Sequence, residues 1–251
     1  MLKKRLIARL DIKGPNLIKS IRFEGLKVIG DPHEYAKKYY KEGIDEIIYI
    51  DTVATLYERV GIHKLVKETV KDTFIPITVA GGIRSIEDVD LLLRSGADKV
   101  AVNTAAVKNP KIISNISKKF GSQCMVVSIE ASKKNSKQWN VYTDNGRENS
   151  GIDVIEWAEK VSKLGAGEIL LTSVNYDGTC KGFDSELIKK VANCVSIPVI
   201  ASGGFGKPID FENAVNNCDA DAVAVGSALH YKLTSIQEIK KYLKERSISI
   251  R

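Results

Sequence analysis

Short runs rich in Ile, Val and Leu alternate along the chain with longer stretches whose apolar positions recur at helical spacing. The short runs Arg5–Asp11, Glu46–Asp51, Pro76–Ala80, Lys99–Asn103, Cys124–Glu130, Glu168–Ser173, Pro198–Ser202 and Ala222–Gly226 predict strands. Amphipathic patterns near 32–43, 58–72, 86–95, 108–119, 152–164, 184–193, 208–217 and 234–245 predict helices between them. Asp31-Pro32 sets a capping acid before a proline suited to a first helical turn. Ser85-Ile86-Glu87-Asp88 sets a cap ahead of acids that suit a positive helix end. Gly43, Gly96 and Gly165 stand where helices should stop. Eight strands, each followed by a helix, imply an α/β chain with a parallel sheet closed into a (β/α)8 TIM barrel; an open doubly wound sheet is the alternative.

An internal repeat sharpens that picture. Ile77-Thr78-Val79-Ala80-Gly81-Gly82-Ile83 is echoed by Val199-Ile200-Ala201-Ser202-Gly203-Gly204-Phe205, and the segment from Gly96 to Ala105 by Asp219 to Ala228. Both echoes are offset by about half the chain, as expected for two (βα)4 half-barrels. No linker or low-complexity stretch divides residues 1–251, so one barrel domain is expected. Two connections are longer than barrel loops usually are. Residues 12–30, with Gly14-Pro15, Gly25 and Gly30, read as a functional loop or lid. Residues 131–150, with the turn Asp144-Asn145-Gly146, read as a small hairpin.

Composition narrows the function classes. The 251 residues are 43% hydrophobic and 27% charged, as in an ordinary globular protein with a large core. The net charge of +7 suits anionic ligands, but the lysines are scattered and no basic stripe is interleaved with aromatics, so nucleic acid is not expected as a partner. Cys124, Cys180, Cys194 and Cys218 form no CxxC pair and fit reduced thiols in a cytoplasmic protein. Arg9 and Asp11 break the first apolar run, so no signal peptide is expected, and no stretch is apolar for long enough to suggest a membrane span.

The candidate chemistry gathers at the strand ends. Gly-Gly pairs follow strands 3 and 7, where bare backbone N–H groups can approach a phosphate. Asn103-Thr104 and Gly226-Ser227 follow strands 4 and 8 and could complete each cradle. Gly82, Asn103 and Thr104 thus form one candidate site, and Gly204, Gly226 and Ser227 the other. Two such sites across one barrel mouth predict a small molecule phosphorylated at both ends. Asp11 ends strand 1 and Glu130 ends strand 5, on the rim where barrel active sites lie, and they are the candidate acid–base pair. Asp177, beside Gly178, is a third acid; Asp51, Lys19 and Thr172 are further candidate substrate contacts. His33, His63 and His230 receive no catalytic role, and no metal cluster or cofactor motif is present in the pattern.

Charges also mark the other end of the barrel. Arg5, Glu46, Lys99 and Glu168 each begin a strand. Alternation places Arg5 on one face with Ile7, Arg9 and Asp11, and Lys99 on one face with Ala101 and Asn103. If Asn103 faces the lumen, Lys99 does too. Two acids and two bases could close a ring there, because buried charges persist only when paired. Such a ring is a structural plug or a gate; position alone favours the plug.

Together these residues make the chain resemble the cyclase subunit of imidazole glycerol phosphate synthase over essentially its whole length. The resemblance rests on Leu10-Asp11-Ile12-Lys13, Gly30-Asp31-Pro32, Gly43-Ile44-Asp45-Glu46, Gly81-Gly82-Ile83, Gly96-Ala97-Asp98-Lys99-Val100, Asn103 to Val107, Phe120-Gly121-Ser122-Gln123, Gly165 to Ser173 and Ala201-Ser202-Gly203-Gly204. It implies a partner glutaminase subunit whose ammonia crosses the barrel and reacts with a bisphosphorylated ribulosyl aminoimidazole-carboxamide nucleotide. The implied products are imidazole glycerol phosphate, for histidine synthesis, and an aminoimidazole-carboxamide ribotide. It further implies catalysis by Asp11 and Glu130, an ammonia gate of Arg5, Glu46, Lys99 and Glu168, and glutaminase docking at Asp98 and Gln123. The resemblance thus turns the plug into a gate.

Three features depart from the pattern. Glu130 stands where such enzymes carry Asp, Arg9 stands where they carry a small residue, and Lys13-Gly14-Pro15-Asn16 differs. Arg9 is expected to point into the lumen and pair with Glu130 or Asp11, which would lower that carboxylate's pKa and weaken it as a general acid. An altered acid pair beneath an intact gate also fits a paralogue that activates the glutaminase and passes ammonia to a separate sugar amidotransferase for surface polysaccharide. A related sugar-isomerase barrel shares the half-barrel repeat but has no use for the charged ring.

Overall fold

The computed structural model describes residues 3–54 and 62–251. In chain order the elements are β1 (Arg5–Lys13), β2 (Asn16–Ile21), β3 (Glu24–Gly30), α1 (Pro32–Lys41), β4 (Glu46–Asp51), α2 (His63–Asp72), β5 (Ile77–Ala80), α3 (Ile86–Arg94), β6 (Lys99–Val102), α4 (Thr104–Lys108), α5 (Lys111–Phe120), β7 (Met125–Lys133), β8 (Trp139–Thr143), β9 (Glu148–Asp153), α6 (Val154–Lys163), β10 (Glu168–Ser173), α7 (Ser185–Cys194), β11 (Val199–Ser202), α8 (Pro208–Asn216), β12 (Ala222–Val225), α9 (Ser227–His230) and α10 (Ile236–Glu245). Strands β1, β4, β5, β6, β7, β10, β11 and β12 pair in parallel in that order, and β12 returns to β1, closing the barrel. The predicted barrel strands are all present. The early part of the helix predicted near 58–72 lies outside the described residues.

Each barrel strand is buried on both faces, as parallel strands covered by helices must be. In β1 every residue from Arg5 to Ile12 is buried. Leu6, Ala8 and Leu10 join the layer between strands and helices, with Trp157, Phe211 and Leu243. Ile7, Ile48, Ala101, Val126, Leu170, Ile200, Ala222 and Ala224 fill the lumen instead. Burying each large aliphatic side chain contributes about 1.5–3 kcal/mol. The predicted parity therefore holds: Arg5, Arg9 and Asp11 share the lumen face with Ile7. Helix caps follow the local signals. Asp31 accepts from the Glu34 N–H at 3.0 Å, and Ser85 and Asp88 form a reciprocal capping box.

Three expectations need correction. Residues 12–30 are not an irregular loop. Gly14-Pro15 makes a tight turn, and β2 runs back along the extension of β1, pairing Asp11 with Ile18 and Lys13 with Asn16. With β3 it forms an antiparallel ribbon across the mouth, where the Arg22 N–H donates to the Asp177 carbonyl at 2.8 Å. Asp11 and Glu130 do not end their strands, because both strands continue into hairpins on the mouth side. For β7 that hairpin is β8–β9, as predicted for residues 131–150. The helix predicted at 108–119 is α5 and starts only at Lys111, because Asn109-Pro110 separates it from a short additional helix, α4. No described helix is long and apolar enough to cross a membrane.

Candidate active site

The repeat is carried into atomic detail. Gly81 and Gly203 both sit at positive φ, 102° and 86°. A side chain at Gly81 would overlap the Asp51 carbonyl; at Gly203 its Cβ would lie 2.7 Å from the Ser173 carbonyl oxygen. Each carbonyl ends the strand that pairs with the one leading into its glycine pair, β4 beside β5 and β10 beside β11, so the same close approach occurs in both halves. Asn103 and Gly226, which precede α4 and α9, have the same unusual backbone angles, φ −118° and ψ −84°.

The first cradle opens on a cavity of about 450 Å³. Asp51, Gly82, Asn103, Thr104 and Glu130 line it, and Arg84, Lys108, Ser128 and Asn145 join them. Asn103 Nδ2 donates to the Tyr142 carbonyl at 3.0 Å, and its buried Oδ1 has no partner among the described residues. Thr104 Oγ1 accepts from the Asp144 N–H at 3.0 Å. Glu130 reaches the hairpin turn, where Oε2 accepts from the Gly146 N–H at 2.7 Å. Burial pushes the Glu130 carboxyl up to about 7, and Gly146 and Arg9 offset only part of that effect.

The second cradle is nearly filled, with about 20 Å³ of free space among Arg9, Lys19, Asp177, Gly178, Ser202, Gly204, Gly226 and Ser227. Four buried charges interlock here. Arg9 Nε donates to Asp11 Oδ1 at 2.8 Å, and its Nη1 lies 3.5 Å from Asp177. Lys19 Nζ donates to Asp11 Oδ2 at 2.6 Å and to Asp177 Oδ1 at 2.9 Å. Arg9 also donates to the Thr172 and Ser202 hydroxyls, each at 3.0 Å. Arg9 thus points into the lumen as expected, and its direct partner is Asp11, not Glu130. Burial works against the Asp11 carboxylate, but Arg9 and Lys19 outweigh it and hold the group well below the usual carboxylate range. The buried Ser227 hydroxyl has no hydrogen-bond partner among the described residues.

His230 supports this pocket from behind. Its Nε2 lies 3.1 Å from the Arg9 carbonyl, which can only accept, so Nε2 carries the proton. Nδ1 then accepts from the Tyr39 hydroxyl at 2.7 Å. Burial, with Lys19 adding to it, pushes the imidazole down to about 4 and keeps it neutral.

At the opposite end the four charges close a ring. Arg5 donates to Glu46 at 3.1 and 3.2 Å and to Glu168; Lys99 donates to Glu168 at 2.7 Å and to Glu46 at 3.4 Å. Arg251 adds a contact to Glu46 at 3.3 Å. The apolar lumen layer separates this ring from Arg9.

Asp98 and Gln123 are exposed at the strand starts on the ring's end of the barrel. Asp98 has a structural task as well. It accepts from the Ile77 N–H at 2.8 Å, just as Asp45 accepts from Leu6 and Asp221 from Val199. Reasoning from sequence missed Arg84 and Lys108, although one follows Gly81-Gly82-Ile83 closely and the other closes the helix begun by Thr104. It also missed the Gly146 N–H and His230, whose parts depend on contacts between distant segments. Among the described residues no group of three or more His, Cys, Asp or Glu is placed to hold a metal ion.

Comparison with known proteins completes the description. Residues 5–235 match the family model described as "Histidine biosynthesis protein". The chain is 62% identical over 207 residues to an "Imidazole glycerol phosphate synthase subunit HisF" of Legionella pneumophila, covering 82% of this chain and 98% of that protein. Proteins of the same name from Dehalococcoides mccartyi and Clostridium botulinum are 48% identical over 251 and 252 residues, covering the whole of this chain and 99% and 100% of theirs.

Proposed function

The chain belongs to the histidine biosynthesis protein family, among relatives named as imidazole glycerol phosphate synthase subunits, and we propose that it is the ammonia-using cyclase of such a synthase. One observation carries the reading: a closed charged ring, an apolar lumen and a rim bearing Asp11 and Glu130 lie in sequence along one barrel axis. An apolar lumen accepts neutral ammonia and rejects its ammonium ion, whose burial is costly. On this reading a glutaminase subunit docks at the ring's end, over Asp98 and Gln123, and Arg5, Glu46, Lys99 and Glu168 admit ammonia. The protein works in the cytoplasm as one half of a heterodimer.

The substrate is a bisphosphorylated ribulosyl aminoimidazole-carboxamide nucleotide. Gly82, Asn103 and Thr104 hold one phosphate, and Gly178, Gly204, Gly226 and Ser227 hold the other. Asp51 and Thr172 line the span between them. Condensing ammonia with a carbonyl requires protons to leave nitrogen and reach the departing oxygen. Glu130, with its affinity for protons near neutrality and its open cavity, is suited to move them. Asp11, tethered by Arg9 and Lys19, starts as an anion that offsets positive charge.

Purified protein, ammonium salt and the bisphosphorylated nucleotide test this. Imidazole glycerol phosphate and the ribotide should form in equal amounts. No turnover, with glutaminase activation intact, would instead favour a subunit that passes ammonia to a separate amidotransferase.

A further inference from the structure

We propose that Arg9 is a phosphate-binding residue of the second cradle, and that a phosphate arriving there draws Arg9 and Lys19 away from Asp11, freeing that carboxylate for proton transfer. The inference deepens the cyclase reading and rests on it only for the identity of the natural ligand.

The pocket is balanced but incomplete. Arg9 and Lys19 each contact both Asp11 and Asp177, so two cations offset two anions with side chains at most 5% exposed. Its free space, about 20 Å³, holds a water at most. A phosphate must therefore displace side chains, and the paired cations are the groups it would attract. Ser227 Oγ, buried against the same space, has no partner among the described residues. A guanidinium presents a planar fork suited to two phosphate oxygens, which neither Lys19 nor a backbone N–H can supply. Removing Arg9 would leave Asp11, Asp177 and Lys19, a net negative cluster that repels an anion before it arrives.

Consequences for Asp11 follow from what surrounds it. Both its oxygens are occupied, one by Arg9 from its own strand and one by Lys19 from the ribbon. Among the described residues the other titratable groups facing Asp11 are Asp177, after β10, Glu130, on β7, and His230, held neutral behind the pocket. Losing its cations, Asp11 would face two acids and a neutral imidazole and hold a proton more readily. Occupancy of the second cradle thereby becomes a condition for Asp11 to act as an acid, and a ligand lacking phosphate at that end leaves it locked.

Inorganic phosphate is the probe, with the isolated chain and backbone amide NMR shifts reporting each cradle separately. Wild type should show saturable shifts at Gly82–Thr104 and at Gly204–Ser227. In Arg9→Ala, affinity at the second cradle should fall at least tenfold while the first stays within twofold, which also shows that the variant is folded. Arg9→Lys should lie between. If Arg9 only fills space, Arg9→Ala opens the pocket and phosphate binds more tightly there, which overturns the proposal. A wild-type second cradle that takes no phosphate also overturns it. The carboxyl carbon of Asp11 should titrate at least one pH unit higher with phosphate seated than without; no change removes the coupling. None of these measurements involves the nucleotide, so their failure leaves the cyclase assignment standing, and absence of turnover leaves them intact.

Discussion

Replacing Glu46 by Gln removes one charge from the floor of the barrel with little change of shape. Glu46 is 2% exposed and receives Arg5 at 3.1 and 3.2 Å, Lys99 at 3.4 Å and Arg251 at 3.3 Å. In the variant Arg5 and Lys99 share Glu168 as their one carboxylate in the ring. Breaking a buried ion pair by removing one partner costs about 3–5 kcal/mol. The amide carbonyl still accepts a hydrogen bond, so the lower end applies, about 3 kcal/mol. For a chain of this size that lowers Tm by roughly 6–12 °C. The apolar layer separates the ring from Asp11 and Glu130, so turnover with ammonium salt should stay within about twofold once temperature is kept below the transition. If ammonia enters through this ring, turnover with glutamine and a glutaminase subunit should fall several-fold. Thermal unfolding and the two turnover assays on one preparation decide the matter. An unchanged Tm, or equal loss of both activities, would refute the argument.

Other positions give sharper or simpler tests. Glu130→Gln keeps the hydrogen bond from the Gly146 N–H but cannot exchange a proton, so kcat with ammonium should fall roughly 10²–10⁴-fold with little change in KM. If protonated Glu130 delivers the proton, the wild-type kcat should decline as pH rises through about 7, the value to which burial lifts it, and a flat profile there would contradict that role. His230 is neutral when folded, with its pKa depressed to about 4, so the unfolded chain binds the extra proton first. Its contribution to stability is complete above about 6.5 and lost as pH falls toward 4, by roughly 3 kcal/mol, and chemical denaturation of His230→Asn should lack that slope. Gly203→Ala forces a Cβ to within 2.7 Å of the Ser173 carbonyl at φ 86° and should cost about 2–4 kcal/mol in thermal melts.

The barrel was legible because both its periods are strong. Doubly buried strands such as Ala222–Val225 read as continuous apolar runs, and the Gly81-Gly82 and Gly203-Gly204 echoes exposed the half-barrel repeat. Strand parity even placed the charged ring, since one lumen-facing residue fixes its neighbours two positions away. The ribbon was hidden because β2 is buried on both faces from Leu17 to Ser20 while β3 has no fully buried residue, so neither strand carries a polar–apolar alternation. The partner of Arg9 could not be chosen from sequence. Asp11 lies two positions along the same strand, Glu130 lies across the barrel, and the choice depends on the longer Glu130 side chain turning toward Gly146. Lys19 and Asp177 were named separately, but their meeting requires the ribbon to fold over the mouth. His230 was dismissed as a helix residue because its two hydrogen-bond partners lie on α1 and β1.

The path of nitrogen through the lumen can be followed directly. A complex with the proposed glutaminase would be given amide-15N glutamine, the bisphosphorylated nucleotide and a large excess of unlabelled ammonium. Passage through the ring and the apolar core predicts imidazole glycerol phosphate carrying most of the 15N. Product whose label matches the diluted bulk ammonium would mean that the nitrogen arrives from solvent, and the account would fail.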